Sequence, residues 1–183
     1  MQFIKFVYPE SVTYMKKSLL IILTLMACII AGAPEAAAGR GEKTVGLRTG
    51  YNTRNESALA GITFSYQFSN HVRIAPNADY VFRKNGTDAF SLNCNMHFPW
   101  KLGPLPMNIY PLVGANYTQW SMRHTDIATT DDSSTRVNRF GINVGGGVEW
   151  YATSTFKVSA EGKFGWMKDF NTGVISIGVA YVF

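Results

Sequence analysis

Thr172-Gly173-Val174-Ile175-Ser176-Ile177-Gly178-Val179-Ala180-Tyr181-Val182-Phe183 closes the chain, and its reading decides the fold. Ile175, Ile177, Val179, Tyr181 and Phe183 fall on one face at period two. Val174, Ser176, Gly178, Ala180 and Val182, which are mostly small, fall on the other. Strict alternation of this kind predicts a β-strand with two different environments.

The same pattern recurs toward the N-terminus. Phe156, Val158, Ala160, Phe164 and Trp166 alternate with Lys157, Ser159, Glu161, Lys163 and Gly165. Phe140, Ile142, Val144, Val148 and Trp150 alternate with Arg139, Gly141, Asn143, Gly145, Gly147 and Glu149. Further strands carry Phe90 to Phe98, Val72 to Phe82, Ala60 to Phe68 and Val45 to Tyr51 on their apolar faces. The segment from Met107 to Trp120 is less regular. There Ile109, Pro111, Val113, Ala115 and Tyr117 stand opposite Tyr110, Leu112, Gly114 and Asn116. This predicts eight strands of about ten residues, the length a tilted strand needs to cross a bilayer.

A soluble barrel buries its apolar face, whereas a membrane barrel turns that face to lipid and its polar face to the lumen. The polar face here holds Arg48, Arg73, Asp79, Arg83, Glu149, Lys157, Glu161 and Lys163, interleaved with glycine, Asn, Ser and Thr. The apolar face is uniformly large, with aromatics gathered toward strand ends. The expected fold is therefore all-β: an eight-stranded antiparallel up-and-down transmembrane β-barrel, its lumen filled by those eight charged residues as a paired network. The connections Asn52–Ser57, Arg83–Asp88, Ser121–Arg136 and Lys168–Thr172 fall on one side, and Ser69–His71, Pro99–Pro106 and Ala152–Ser154 on the other. Longer connections belong outside the cell, which places the polar Ser121–Arg136 loop there and both termini in the periplasm. Pro99–Pro106 is longer than an inner turn requires.

The chain resembles the small eight-stranded outer-membrane barrels of the OmpA/OmpX-like family over about residues 43–183. The resemblance rests on strand count, the address segment described below and the terminal Val179-Ala180-Tyr181-Val182-Phe183. It implies an integral protein of the bacterial outer membrane, in contact with membrane lipid and lipopolysaccharide. It also implies that the barrel assembly machinery reads Tyr181 and Phe183 as its signal. Family members of this kind have structural or surface-contact roles, so an extracellular ligand is expected at Ser121–Arg136. Lipid-modifying enzymes resembling lipid A deacylases, and narrow pores, are the alternatives within such barrels.

The N-terminal region reads differently. Met15-Lys16-Lys17 opens a positive segment, Leu19 to Ala33 is apolar, and Ala36 and Ala38 fit the small-x-small rule for cleavage. Residues 15–38 are therefore expected to be a signal peptide, too short in its apolar part to span a bilayer. Residues 1–14 are read as an upstream extension and 39–183 as the barrel domain. Leu25-Met26-Ala27-Cys28 resembles a lipobox, but Ile29-Ile30-Ala31 continue the apolar run where a lipoprotein turns polar.

The chain of 183 residues carries 17 Lys or Arg against 12 Asp or Glu, a formal charge of +5. No basic run accompanies the excess, so no nucleic-acid partner is expected; it is assigned instead to lumen arginines and lysines. Cys94 has no partner beyond the address segment and reads as a small apolar filler. Candidate chemistry is thin. His124, with Ser121 and Asp126, is the nearest approach to a hydrolase set, but the His-x-Ser spacing of the deacylases is missing. His97 on the polar face reads as a hydrogen-bonded filler, and His71 lies in a turn with no metal-ligand spacing around it. Asp126, Asp131 and Asp132 read as a solvated acidic tip. No catalytic residue, cofactor or metal ligand is expected.

Overall fold

The computed structural model describes residues 39–125 and 132–183. The expected signal peptide, the upstream extension and Cys28 lie outside the described residues, as do Asp126 and Asp131. The strands are β1 (Lys43–Asn52), β2 (Ser57–Ser69), β3 (Val72–Lys84), β4 (Thr87–His97), β5 (Trp100–Lys101), β6 (Met107–Thr125), β7 (Asp132–Tyr151), β8 (Phe156–Met167) and β9 (Thr172–Val182). Each long strand pairs antiparallel with its sequence neighbour. The sheet closes where β1 meets β9, from Thr44↔Val182 to Asn52↔Val174. Between β4 and β6 the register runs from Thr87↔Met122 to His97↔Leu112. The eight long strands form the closed barrel, as the alternation predicts, and the two-residue β5 is an addition to it.

Closure has a physical cause. In hydrocarbon no water is available to an unpaired strand edge, so the backbone is satisfied only when the sheet returns on itself. The outward positions are a continuous apolar band that includes Leu47, Phe82, Leu92, Val113, Phe140, Ile142, Trp166, Ile175 and Ile177. Phe140 leaves 78% of its surface uncovered, an exposure for large apolar groups that only a lipid solvent explains. Aromatics edge the band at both ends. Tyr66 packs on Phe68 and Phe156 on Tyr181 at the end carrying the termini, and Tyr80 packs on Phe82 and Phe164 on Trp166 at the opposite, hairpin end. Pro76 takes an outward position in β3. The β2–β3 ladder is interrupted between Asn77 and Ile74, where proline has no N–H to give.

Three connections differ from the sequence expectation. The β3–β4 connection, read as Arg83–Asp88, contracts to the turn Asn85-Gly86, both with positive φ (51° and 75°), the geometry of a type I′ hairpin. Pro99–Pro106 is long because Trp100 and Lys101 fold back on Ile109 and Asn108 and prolong the sheet past the end of β4. Ser121–Arg136 is not an open loop. β6 and β7 stay paired through Ser121↔Arg136 and Met122↔Thr135 to Thr125↔Asp132. β8 pairs with β7 only as far as Gly141↔Met167 and β4 with β6 only as far as Met122, so the hairpin projects beyond its neighbours as a two-stranded ribbon.

Candidate functional site

The lumen is built in layers from inward-facing positions, beginning at the end that carries the termini. Arg73 Nη1 donates to both carboxylate oxygens of Glu149 at 2.9 and 2.8 Å. Lys157 Nζ lies 2.9 Å from Glu42 Oε1 and 3.2 Å from Glu149 Oε2. Asn108 Nδ2 donates to Glu149 and Tyr151 Oη to Glu42, both at 2.9 Å. The second layer centres on Arg48, which pairs with Asp79 and Glu161, each at 3.3 Å, and donates to Ser176 Oγ at 2.8 Å. Lys163 Nζ stands 3.8 Å from Asp79. Tyr110 Oη joins the layers by donating to Glu161, and its ring stacks on His97 with centroids 4.5 Å apart.

Of the eight residues assigned to the lumen from sequence, seven converge in these two layers: Arg48, Arg73, Asp79, Glu149, Lys157, Glu161 and Lys163. Arg83 stands apart. It has inward parity on β3, but the strand has risen past the packed interior there, and its side chain is 43% exposed while pairing with Asp88 at 2.6 Å. Glu42 is the member that sequence reasoning missed. It precedes the first alternating residue, so no periodicity marks it, yet it is buried against Lys157. With Glu42 in place and Arg83 outside, Arg48, Arg73, Lys157 and Lys163 face Glu42, Asp79, Glu149 and Glu161, four charges of each sign. The basic excess therefore lies at the rims and not in the lumen, which corrects the sequence assignment. Desolvation explains the balance, because an unmatched charge in this interior is far more costly than a matched one.

Above the ionic layers lies a layer of asparagines. Asn93 donates to Asn77 at 2.9 Å, and Asn143 donates to Asn93 and Asn95 at 3.0 Å each. Asn116 donates to Asn143. The hairpin end is then closed by an apolar cluster of Leu59, Val81, Ala89, Trp120, Met167, Phe170 and Val174. Alternation did not single these residues out, because Phe170 lies in a turn and the others are apolar on the face read as polar. The Arg54 guanidinium caps the Phe170 ring at 4.3 Å and Arg139 lies over it at 5.0 Å. Residual cavities of about 50 Å³ beside Tyr110 and about 20 Å³ among the asparagines hold at most a few waters.

Among the described residues the other sequence candidates do not assemble into a reactive set. His97 is enclosed by Tyr110, Arg73 and Glu161 as packing within the ionic layers. His71 lies in the exposed β2–β3 turn, and its backbone N–H is bonded to Ser69. The side chain of His124 lies outside the described residues. Among the described residues no group of three His, Cys, Asp or Glu is placed to hold a metal ion. Phe183 pairs its backbone with Lys43 in both directions, stacks on Tyr181 at 6.2 Å and is only 7% exposed.

A closed eight-stranded barrel with a lipid-facing apolar band and a filled polar lumen defines the class of small transmembrane β-barrels. The chain belongs to the outer membrane protein beta-barrel domain family, whose profile matches residues 21–183, and it is thus an integral outer-membrane protein. The N-terminal barrel domain of Pseudomonas aeruginosa OprF superposes with a TM-score of 0.65 at 14% identity, over 79% of this chain and 99% of that one. Neisserial surface protein A gives 0.65 at 14% identity over 80% and 100%. Ail, the attachment invasion locus protein of Yersinia pestis, gives 0.57 at 14% over 79% and 99%. At such identities the likeness is one of fold. No curated protein matches the chain in sequence.

Proposed function

We propose that this chain is a non-catalytic surface barrel of the outer membrane, with both termini in the periplasm, that contacts an extracellular ligand through the β6–β7 ribbon and the rim beside it. The observation that carries the reading is the ribbon itself, which extends past the ends of β4 and β8 at the end opposite the termini. Past the ends of β4 and β8 the outer edges of the ribbon have no neighbouring strand, and edge strands pair readily with another chain. Arg54 and Arg139 lie over the Phe170 ring at its base, and Ail, a barrel of this size, has been crystallised with the heparin analogue sucrose octasulfate. Both points support a polyanionic ligand, lipopolysaccharide or a sulfated host glycan. The barrel assembly machinery is the partner assigned to Tyr181 and Phe183.

The filled lumen weighs against the pore reading, and the enclosure of His97 weighs against a deacylase. Protease applied to intact cells is expected to cut within residues 121–136 and to spare the turn at 152–154. Replacing residues 123–134 by a short Asn-Gly turn is expected to abolish adhesion of displaying cells to heparin-coated wells. Undiminished adhesion after that replacement rejects the ligand site. Lipid A with an unchanged acyl pattern in a deletion strain is the expected result for a non-enzyme. Deleting Phe183 is expected to lower the yield of membrane-inserted barrel, scored as the heat-modifiable compact band on gels.

A further inference from the structure

The sheet has one irregular extension at the end carrying the termini, and it is not needed for closure. After His97 the chain breaks at Phe98-Pro99 and then adds Trp100 and Lys101 to the flank of β6. The hairpin is fixed by Leu102 N–H donating to Met107 O at 2.9 Å and by Gly103 at φ 58°. Cross-strand partners in an antiparallel pair share a face. Trp100 is opposite Ile109, a residue of the lipid-facing band, so Trp100 continues that band beyond the barrel wall. Trp100 is 55% exposed and Leu105 57%, with Leu102 also uncovered. Three exposed large apolar side chains on one short hairpin are a poor surface to offer water.

The exposed side-chain charge at this end has one sign. Arg40, Lys43 and Lys101 are exposed, while Glu42, the neighbouring carboxylate, is buried and matched by Lys157. Among the described residues no exposed acidic side chain accompanies them there, whereas the hairpin end mixes Arg83 and Lys84 with Asp88 and Glu56. Lys101 neighbours Trp100, while Lys43 stands on the far side of the rim, four strands from β6; tryptophan and basic residues both settle at the headgroup level of a bilayer, and anionic headgroups draw basic side chains toward them.

We propose that the β5 hairpin is a membrane foot, an interfacial element that seats Trp100, Leu102 and Leu105 among the lipids of the adjoining leaflet while Lys101, Arg40 and Lys43 gather anionic phospholipid headgroups around the rim. The occupant is the phospholipid leaflet itself, argued from continuity with the lipid-facing band and from the one-signed charge. That this leaflet is the periplasmic one rests on the orientation proposed above; insertion of the hairpin does not.

The test uses the refolded barrel in a Cys94→Ala background, with a spin label at Leu102→Cys or Leu105→Cys and a control label at Thr153→Cys in the β7–β8 turn. Vesicles are phosphatidylcholine with or without phosphatidylglycerol. Labels at 102 and 105 are expected to collide with oxygen several-fold more than with a water-soluble nickel chelate, and the label at 153 to show the reverse. Phosphatidylglycerol is expected to deepen the first two, and Lys101→Glu to remove that deepening. Labels at 102 and 105 that are as water-accessible as that at 153 overturn the foot and leave the hairpin as a surface for a soluble partner. Buried labels indifferent to phosphatidylglycerol overturn the headgroup part. Labelling of Leu105→Cys on intact cells by a membrane-impermeant thiol reagent overturns the orientation alone.

Discussion

Glu149 is the residue on which the most lumen contacts converge: Arg73, Lys157 and Asn108 all address its carboxylate. Glu149→Ala leaves two buried cations with one carboxylate, Glu42, between them, and breaking a buried pair in this way costs about 3–5 kcal/mol. Urea unfolding of the refolded barrel in vesicles should show that loss, and a change below about 1 kcal/mol would mean the ionic layer is solvated and not packed. Glu42→Gln should destabilise in the same direction, whereas Arg83→Gln should leave stability nearly unchanged because its pair with Asp88 is open to solvent. Gly147 marks where small size is required. A Cβ there would stand 2.5 Å from Tyr110 Oη, so Gly147→Val must displace the ring that spans the two ionic layers. Seven of the eight charged residues of the network were legible in the sequence through parity, Glu42 being the exception. Membership was not, because parity says which way a side chain points and not how far along the lumen it lies.

At the scale of elements, turns are set by local backbone chemistry. Asn85-Gly86 holds two consecutive positive φ values, which a β-branched residue adopts at a cost of about 1–3 kcal/mol. Gly86→Val is therefore expected to lower the unfolding midpoint and to slow refolding of the β3–β4 hairpin, measured by the rate at which the compact gel form appears. The β6–β7 ribbon makes the opposite point. Alternation is visible only where two faces meet different solvents. Beyond Met122 and Thr135 the two strands pair only with each other, so no neighbouring strands divide their faces and their strand character leaves no periodic trace. Shortening that ribbon should leave barrel stability nearly intact, since beyond Met122 its two strands pair only with each other. The β5 hairpin is hidden for a related reason, because two residues are too few to show a period.

For the molecule as a whole, the stack of two ionic layers, an asparagine layer and an apolar cap fills the lumen above an open recess of about 1020 Å³ at the end carrying the termini, lined by Gln67, Asn108, Tyr151 and the β5 hairpin. Planar-bilayer recordings on the refolded barrel are expected to show no steady unitary steps, and reproducible ohmic steps would contradict the plug. The class, strand count and inside-out polarity were determined by the sequence alone. A two-residue period with lipid on one side and lumen on the other leaves one consistent closed sheet, and backbone hydrogen bonding in hydrocarbon allows no open alternative. Only the tertiary structure decided that the lumen charges cancel, that Leu59, Trp120 and Phe170 seal the hairpin end, and that the basic excess moves to the rims. Those features depend on which residues of distant strands share a level inside the barrel. Level is fixed by the register of all eight strands together, a quantity no single strand carries.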